Sequence, residues 1–448
     1  MPTLPDASPS TQDGPPVQRS LTAWQQAALS LYWFANSAHW SAILIILLPH
    51  QAALIGGEAN KGTTLGMIQL AGAFVSMVVA PVFGAWSDRI STRWGRRKPF
   101  LFVGTLGNMV GLGVLAALPA VPSMLVPFIA VFMWTVLWNN LATAPYAALI
   151  PDVVPAHQRG SASGWMGLMT MLGNAAGAIF GLALGRMGGT PGAYLILAGI
   201  MLLGMLGTVS CVREPRAAPA PPQQLQAFLR GLVTPFQVLN FRWVFLTRFL
   251  VMLGVYTVQG YLLFYIKDVV AAGKDDYVFR FFGVTLARSA PEATSIFLLT
   301  LLVGAVVSSL LAGILSDRYG RKRMVYLSGA LQGVVALTFL LTGRFEIVVV
   351  LGVVFGLGYG AYQAVDWALA TDVLPNAHDH AKDMGVWHIA ATLPQVTAAP
   401  LAGVLLDTFQ KIGRAHGLPT LGYIIIFGLA IGYFAVGTML VSKIKGVR

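Results

Sequence analysis

The sequence predicts an all-α polytopic membrane protein with twelve transmembrane helices in two pseudo-symmetric six-helix bundles. Three observations predict it: very low charge, twelve long apolar runs, and two loop motifs that recur in the same order in each half. Of 448 residues, 56% are hydrophobic and only 10% charged, where a soluble domain carries about 25% charged residues. So few charges cannot cover a water-exposed surface, so lipid is most of the solvent.

A helix crossing the hydrocarbon needs about 20 apolar residues. Such runs lie near 24–50, 62–86, 99–118, 122–148, 162–187 and 190–211, then near 243–266, 293–315, 323–342, 345–370, 384–407 and 420–442. Residues 1–20, polar and Pro-rich, read as a disordered cytoplasmic tail rather than a signal peptide. The first bundle is expected over 21–211, a central linker over 212–242 and the second bundle over 243–448. Lys and Arg concentrate in loops on the side of the N-terminus, which places both termini in the cytoplasm of a plasma or inner membrane. The net charge of +12 therefore marks topology, not nucleic-acid binding. One cysteine, Cys211, supports neither a disulfide framework nor a cysteine metal site. Walker, dinucleotide and H-E-x-x-H motifs are absent, so no cofactor, metal or enzymatic chemistry is expected, and any driving force is a solute or ion gradient.

The halves repeat. Gly84 to Arg89 followed by Gly95-Arg96-Arg97-Lys98 matches Gly313 to Arg318 followed by Gly320-Arg321-Lys322. Pro151-Asp152-Val153 matches Thr371-Asp372-Val373. Duplicated halves with a site between them are a common transporter plan. The individual Lys and Arg residues read as topology markers at an anionic leaflet.

These motifs resemble the major facilitator superfamily. The resemblance implies that the repeated loops form a cytoplasmic latch, with Asp88, Asp317, Asp152, Asp372, Arg89, Arg159 and Arg318 as candidate gate residues, set against a role as topology determinants only. The longer first copy, S-D-R-x-x-x-x-x-G-R-R-K-P-F, resembles the sucrose transporters and the glycoside–pentoside–hexuronide:cation symporters. Trp40 to Pro49, Asn139-Asn140 through Pro145 to Asp152, and Gly173-Asn174 follow the same pattern. The chain departs from it at Val136, where plant sucrose transporters carry an acid implicated in proton coupling, and around Tyr146-Ala147, where they carry a basic residue. The resemblance implies cation-coupled, proton-driven symport of a sugar or glycoside by a monomer. Efflux of sugars or drugs stays open, as does a non-transporting sensor or assembly factor on this scaffold.

Polar residues inside spans are expensive and face a cavity or a neighbouring helix. Tyr359, Tyr362, Gln363 and Asp366 form one stripe in the tenth span, with Asp366 the only carboxylate placed clearly inside a span. Asp366 is the candidate proton-coupling group, set against a structural or gate-pair role. Asn36, His39 and Trp40 share a face of the first span, and His39 either titrates or hydrogen-bonds. Trp138, Asn139 and Asn140 in the fourth span and Asn174 in the fifth offer ligand contacts or interhelical bonds. Tyr256 and Gln259 in the seventh and Gln395 in the eleventh complete the binding candidates. Arg248 snorkels or pairs with Asp366, and His388 is a gate candidate.

Overall fold

The computed structural model describes residues 20–90, 92–212, 214, 233–274, 276–372 and 380–445. Most of the expected tail and linker lie outside them. Thr22 starts α1 (Ala23–Ala42) with a capping box, accepting from the Gln25 amide while the Gln25 side chain returns to the Thr22 N–H. A π turn over Ile43–Leu47 carries the chain into α2 (Leu48–Arg89). This 67-residue apolar stretch is far longer than one crossing. It breaks at Gly57, whose φ of 65° suits glycine, and at Asn60, and so makes two passes.

There follow α3 (Lys98–Ala117), α4 (Leu125–Ala147), the short α5 (Leu149–Val153), α6 (Arg159–Ala183) and α7 (Gly189–Cys211). The second half holds α8 (Leu239–Tyr265), α9 (Ala290–Tyr319), α10 (Arg321–Leu341), α11 (Phe345–Asp372), α12 (His380–Ala415) and α13 (Leu421–Leu440). Among the described residues eleven helices are long and apolar enough to span a membrane, and the broken first one supplies the twelfth pass.

Packing shows the duplication directly. In the first half α1 packs on α6 and α7, α3 on α4 and α7, and the second pass of α2 on α4. In the second half α8 packs on α12 and α13, α10 on α11 and α13, and α9 on α11. Each pair has its counterpart. The π turn of the first span also has one, over Ile266–Val270 after α8. The two most extensive contacts between the halves, α2 with α12 and α6 with α9, are again symmetry mates.

Ser20 and Lys445 emerge at one end of the bundle, called here the terminal end. The halves meet most closely at the other, far end. There Gly66 lies so near α12 that an added Cβ would stand 2.8 Å from the Pro400 Cα and 3.1 Å from the Ala399 carbonyl oxygen.

One feature adds to the sequence reading and one departs from it. The loop before α9 contains a small hairpin, β1 (Phe279–Phe281) with β2 (Val284–Ala287), within the all-α architecture. Helix α12 runs to Ala415, past the expected end at 407, so Asp407 sits inside a helix and Asp366 is not the only carboxylate in a span. A Gly66→Leu change should wedge α2 from α12. With Cys211→Ser and a Thr63→Cys reporter, it should speed labelling at position 63 by a membrane-impermeant maleimide; an unchanged rate would show that the far end is not held by this contact.

Candidate substrate cavity

A cavity of about 530 Å³ opens between the two halves, within the usual range of about 300–1,000 Å³ for small-molecule sites. The first half contributes Trp40, Gln69, Thr170 and Asn174. The second contributes Tyr256, Gln259, Ser309, Tyr359, Gln363 and Gln395, with Leu and Ala side chains between them. Among the described residues no charged side chain lines it. Gln363 donates to the Tyr359 hydroxyl at 3.1 Å. The side-chain amides of Gln69, Asn174, Gln259 and Gln395 line the cavity and make no hydrogen bond to the described protein, so their donors and acceptors face the space. Gln69, Thr170 and Ser309 were not among the residues the sequence singles out; Gln69 is legible there only as an amide within an apolar run.

Seven of the sequence candidates thus line the cavity: Trp40, Asn174, Tyr256, Gln259, Tyr359, Gln363 and Gln395. Six do not. His39 is fully buried beside Trp40, with ring centroids 4.8 Å apart, and neither ring nitrogen has a protein partner. The Asn36 and Asn139 side-chain oxygens and the Trp138 indole N–H are likewise buried without partners. Asn140 joins two helices, accepting from the Ser76 hydroxyl at 3.1 Å and donating to the Val136 carbonyl at 2.9 Å. Tyr362 turns away from the cavity to donate to Asp366 at 3.2 Å.

The stripe on α11 is therefore split. Tyr359 and Gln363 face the cavity, while Asp366 forms a buried ion pair with Arg248 of α8. The guanidinium carbon lies 3.6 Å from the centre of the Trp387 ring on α12, a cation–π contact. Three helices of the second half meet on this one pair.

The far end is closed by a second polar group. Lys61, 1% exposed, donates to Asp268 and Glu58 at 2.6 Å each. Tyr423 donates to Asp268 at 2.5 Å, and Lys267 pairs with Glu58 at 3.0 Å. Burial works to raise the Glu58 pKa. Hydrogen bonding and attraction from Lys61, then Lys267, outweigh it and hold the carboxyl below its ordinary value. The Asp407 carboxylate accepts from the backbone N–H groups of Gly62 at 3.0 Å and Thr63 at 2.5 Å, where the second pass begins. These bonds run from one half to the other.

At the terminal end the first copy of the repeated loop forms a third group. Arg97, 4% exposed, pairs with Asp88 at 2.5 Å and Asp152 at 2.9 Å, and also donates to Ser87. Arg96 adds a bond to Asp152 at 2.6 Å. Glu214 accepts from the backbone N–H groups of Arg96, Arg97 and Lys98, capping α3. Arg96 and Arg97 are thus more than topology markers, whereas Arg89 and Arg318 are exposed. The side chains of Arg159, Asp317, Asp372 and His388 lie outside those described.

Twelve crossings in two mirrored halves around a central, mainly apolar cavity set with uncharged polar groups define a membrane solute transporter, not an enzyme. A family model described as MFS/sugar transport protein matches residues 54–289, just over half the chain, and one described as Major Facilitator Superfamily matches residues 269–445. The chain belongs to the major facilitator superfamily, in its MFS/sugar transport protein family. It is similar to Sucrose transport protein SUC3 of Arabidopsis thaliana, 28% identical over 161 residues, 31% of this chain and 26% of that protein. Sucrose transport protein SUT4 of Oryza sativa subsp. indica is 26% identical over 199 residues, covering 40% and 32%. General alpha-glucoside permease of Schizosaccharomyces pombe is 27% identical over 167 residues, covering 34% and 29%. The matched stretches span about a third or less of these relatives. Among solved structures, a bacterial homolog of the human lysosomal transporter Spinster, inward-facing and occupied, aligns over 95% of this chain and 97% of its own, with a TM-score of 0.71 and 14% identity. Nucleoside transporter NupG aligns over 95% and 100%, with a TM-score of 0.67 and 12% identity. At such identities the likeness concerns the fold.

The buried pair sets a stability prediction. Arg248→Met alone should destabilise the protein by about 3–5 kcal/mol, because it strands the Asp366 charge, while Arg248→Met with Asp366→Leu should recover most of the loss. Thermal unfolding in detergent checks this; equal losses in single and double variants would contradict it.

Proposed function

We propose that this transporter is a proton-coupled symporter of a neutral saccharide or glycoside that works by alternating access. The observation that carries the reading is the uncharged cavity with its unpaired amides and aromatic faces. Sugar hydroxyls both donate and accept, as do amides and phenols, and the flat ring faces of Trp40, Tyr256 and Tyr359 suit the apolar faces of a pyranose. An ionic solute would find no counter-charge on these walls. Relatives named for sucrose and alpha-glucoside transport support the class.

With both termini in the cytoplasm, as the basic loops favour, the far end is external and the structure is closed to the outside. Residues 21–211 and 243–448 then rock as two bodies joined by the 212–242 linker. Opening outward must break Lys61–Asp268 and the Asp407 cap, while the cytoplasmic end closes around Asp88, Asp152, Arg159, Asp317, Asp372 and His388. The protein acts as a monomer, with the saccharide and the proton as its cargo.

Asp366 carries the proton. Ionised, it holds Arg248; protonated, it loses that attraction and frees the junction of α8, α11 and α12. Gln363 lies one turn before Asp366 on α11, so the change reaches the sugar site through a single helix.

Proteoliposomes given labelled neutral saccharides should accumulate one of them above equilibrium only under an acid-outside gradient. Asp366→Asn should abolish that accumulation and retain exchange between internal and external sugar. Uphill accumulation by the variant would remove Asp366 from the mechanism, and no saccharide entry under any gradient would overturn the substrate class.

A further inference from the structure

The hairpin between α8 and α9 has an unusual turn. Strands β1 and β2 are joined by Phe282 and Gly283, both at positive φ, 46° and 86°. A two-residue turn of this kind favours Asn, Asp or Gly at its first place, because a Cβ crowds the backbone there. Phe is among the least suited residues. Its ring is nevertheless 83% exposed at the tip, set edge-to-face against the Phe281 ring with centroids 4.8 Å apart.

The inner side of the hairpin is fixed. Phe279 is buried, with its ring 5.1 Å from that of Phe345 on α11. Strand β1 rests on α11 and β2 on α9. The outer side is apolar: Val284 is 63% exposed, and Val278 and Leu286 are 39% exposed. Arg280 and Arg288 are exposed on the same unit. The supporting helices also expose apolar side chains, Val303 of α9 and Val350 of α11, within stretches long and apolar enough to span a membrane. The hairpin is therefore a platform packed on the ends of two such helices, with an aromatic tip and exposed arginines.

Aromatic side chains are favoured at the boundary between headgroups and acyl chains, and arginines there meet lipid phosphates. A protein partner would need carboxylates opposite both arginines and a face wider than one hairpin. We propose that the hairpin is a bilayer-interface anchor: Phe282 inserts at the headgroup–acyl boundary while Arg280 and Arg288 contact anionic headgroups. The strained turn is then the means of aiming a ring at lipid. The anchor fixes the far ends of α9 and α11 against the membrane while the other half moves.

The test uses the full chain with Cys211→Ser and Phe282→Cys carrying a bimane label, in vesicles of phosphatidylcholine and phosphatidylglycerol. His416→Cys, in the exposed connection between α12 and α13, is the control. A nitroxide lipid labelled at a shallow acyl position should quench position 282 several-fold more than position 416, and aqueous iodide should do the reverse. Omitting phosphatidylglycerol, or changing Arg280→Gln and Arg288→Gln together, should reduce the lipid quenching. Iodide quenching at 282 equal to that at 416 would place the tip in water. Protection from both quenchers would mean a protein covers it. Lipid quenching indifferent to charge would remove the headgroup contact. Each of these three outcomes overturns the proposal as stated.

Discussion

Hydrocarbon offers no hydrogen bonds, so a polar group in a membrane span must find its partner inside the protein or face a wet cavity. That constraint sorts the buried charges and the cavity-lining amides, while the buried polar atoms of Asn36, His39, Trp138 and Asn139 stand outside it without partners. Some charges are consumed in three paired groups: Arg97 with Asp88 and Asp152, Arg248 with Asp366, and Lys61 with Asp268 and Glu58. The amides of Gln69, Asn174, Gln259 and Gln395 are left open toward the cavity. The division of labour is chemical. Charges pair with charges away from the cavity, and uncharged donors and acceptors line it.

The three groups also differ in what they join. Arg97 ties loops within the first half, and Arg248 ties three helices within the second. The Lys61 group reaches across, from α2 to the π turn after α8 through Lys61–Asp268 and Glu58–Lys267, and Asp407 of α12 adds a second crossing to α2. Interactions within a half keep each bundle rigid, while those across it have to be made and broken as access alternates. Close backbone approach at Gly62 and Gly66 lets α2 and α12 meet tightly enough for the far end to seal. The charged bonds there add direction to that packing.

Much of this was legible in the sequence. Span number and the two-bundle plan follow from local hydropathy and repeated loops, which do not depend on tertiary detail. The pairing of Arg248 with Asp366 was open there as one of two alternatives, because helical depth can be counted along each span. What was hidden depends on helix rotation or on distant neighbours. Trp40 faces the cavity but His39, rotated by about 100° on a 3.6-residue helix, faces the interior of the first half. Asp366 and Gln363 share a stripe, yet the neighbour α8 claims one and the cavity the other. Lys61 reads as a loop residue until Asp268, far along the chain, is folded against it. The hairpin carries Phe-Gly in place of Asn-Gly, so its turn gives no sequence signal.

The proposed coupling of an uncharged cavity to a buried carboxylate through one helix is a claim about stoichiometry: a sugar and a proton would move together, in the same direction. Proton movement shows this most directly. Lightly buffered, de-energised proteoliposomes given a saccharide gradient directed inward should alkalinise the outer medium as the sugar enters. Sugar entry with no pH change would contradict the coupling, and acidification would mean exchange rather than symport.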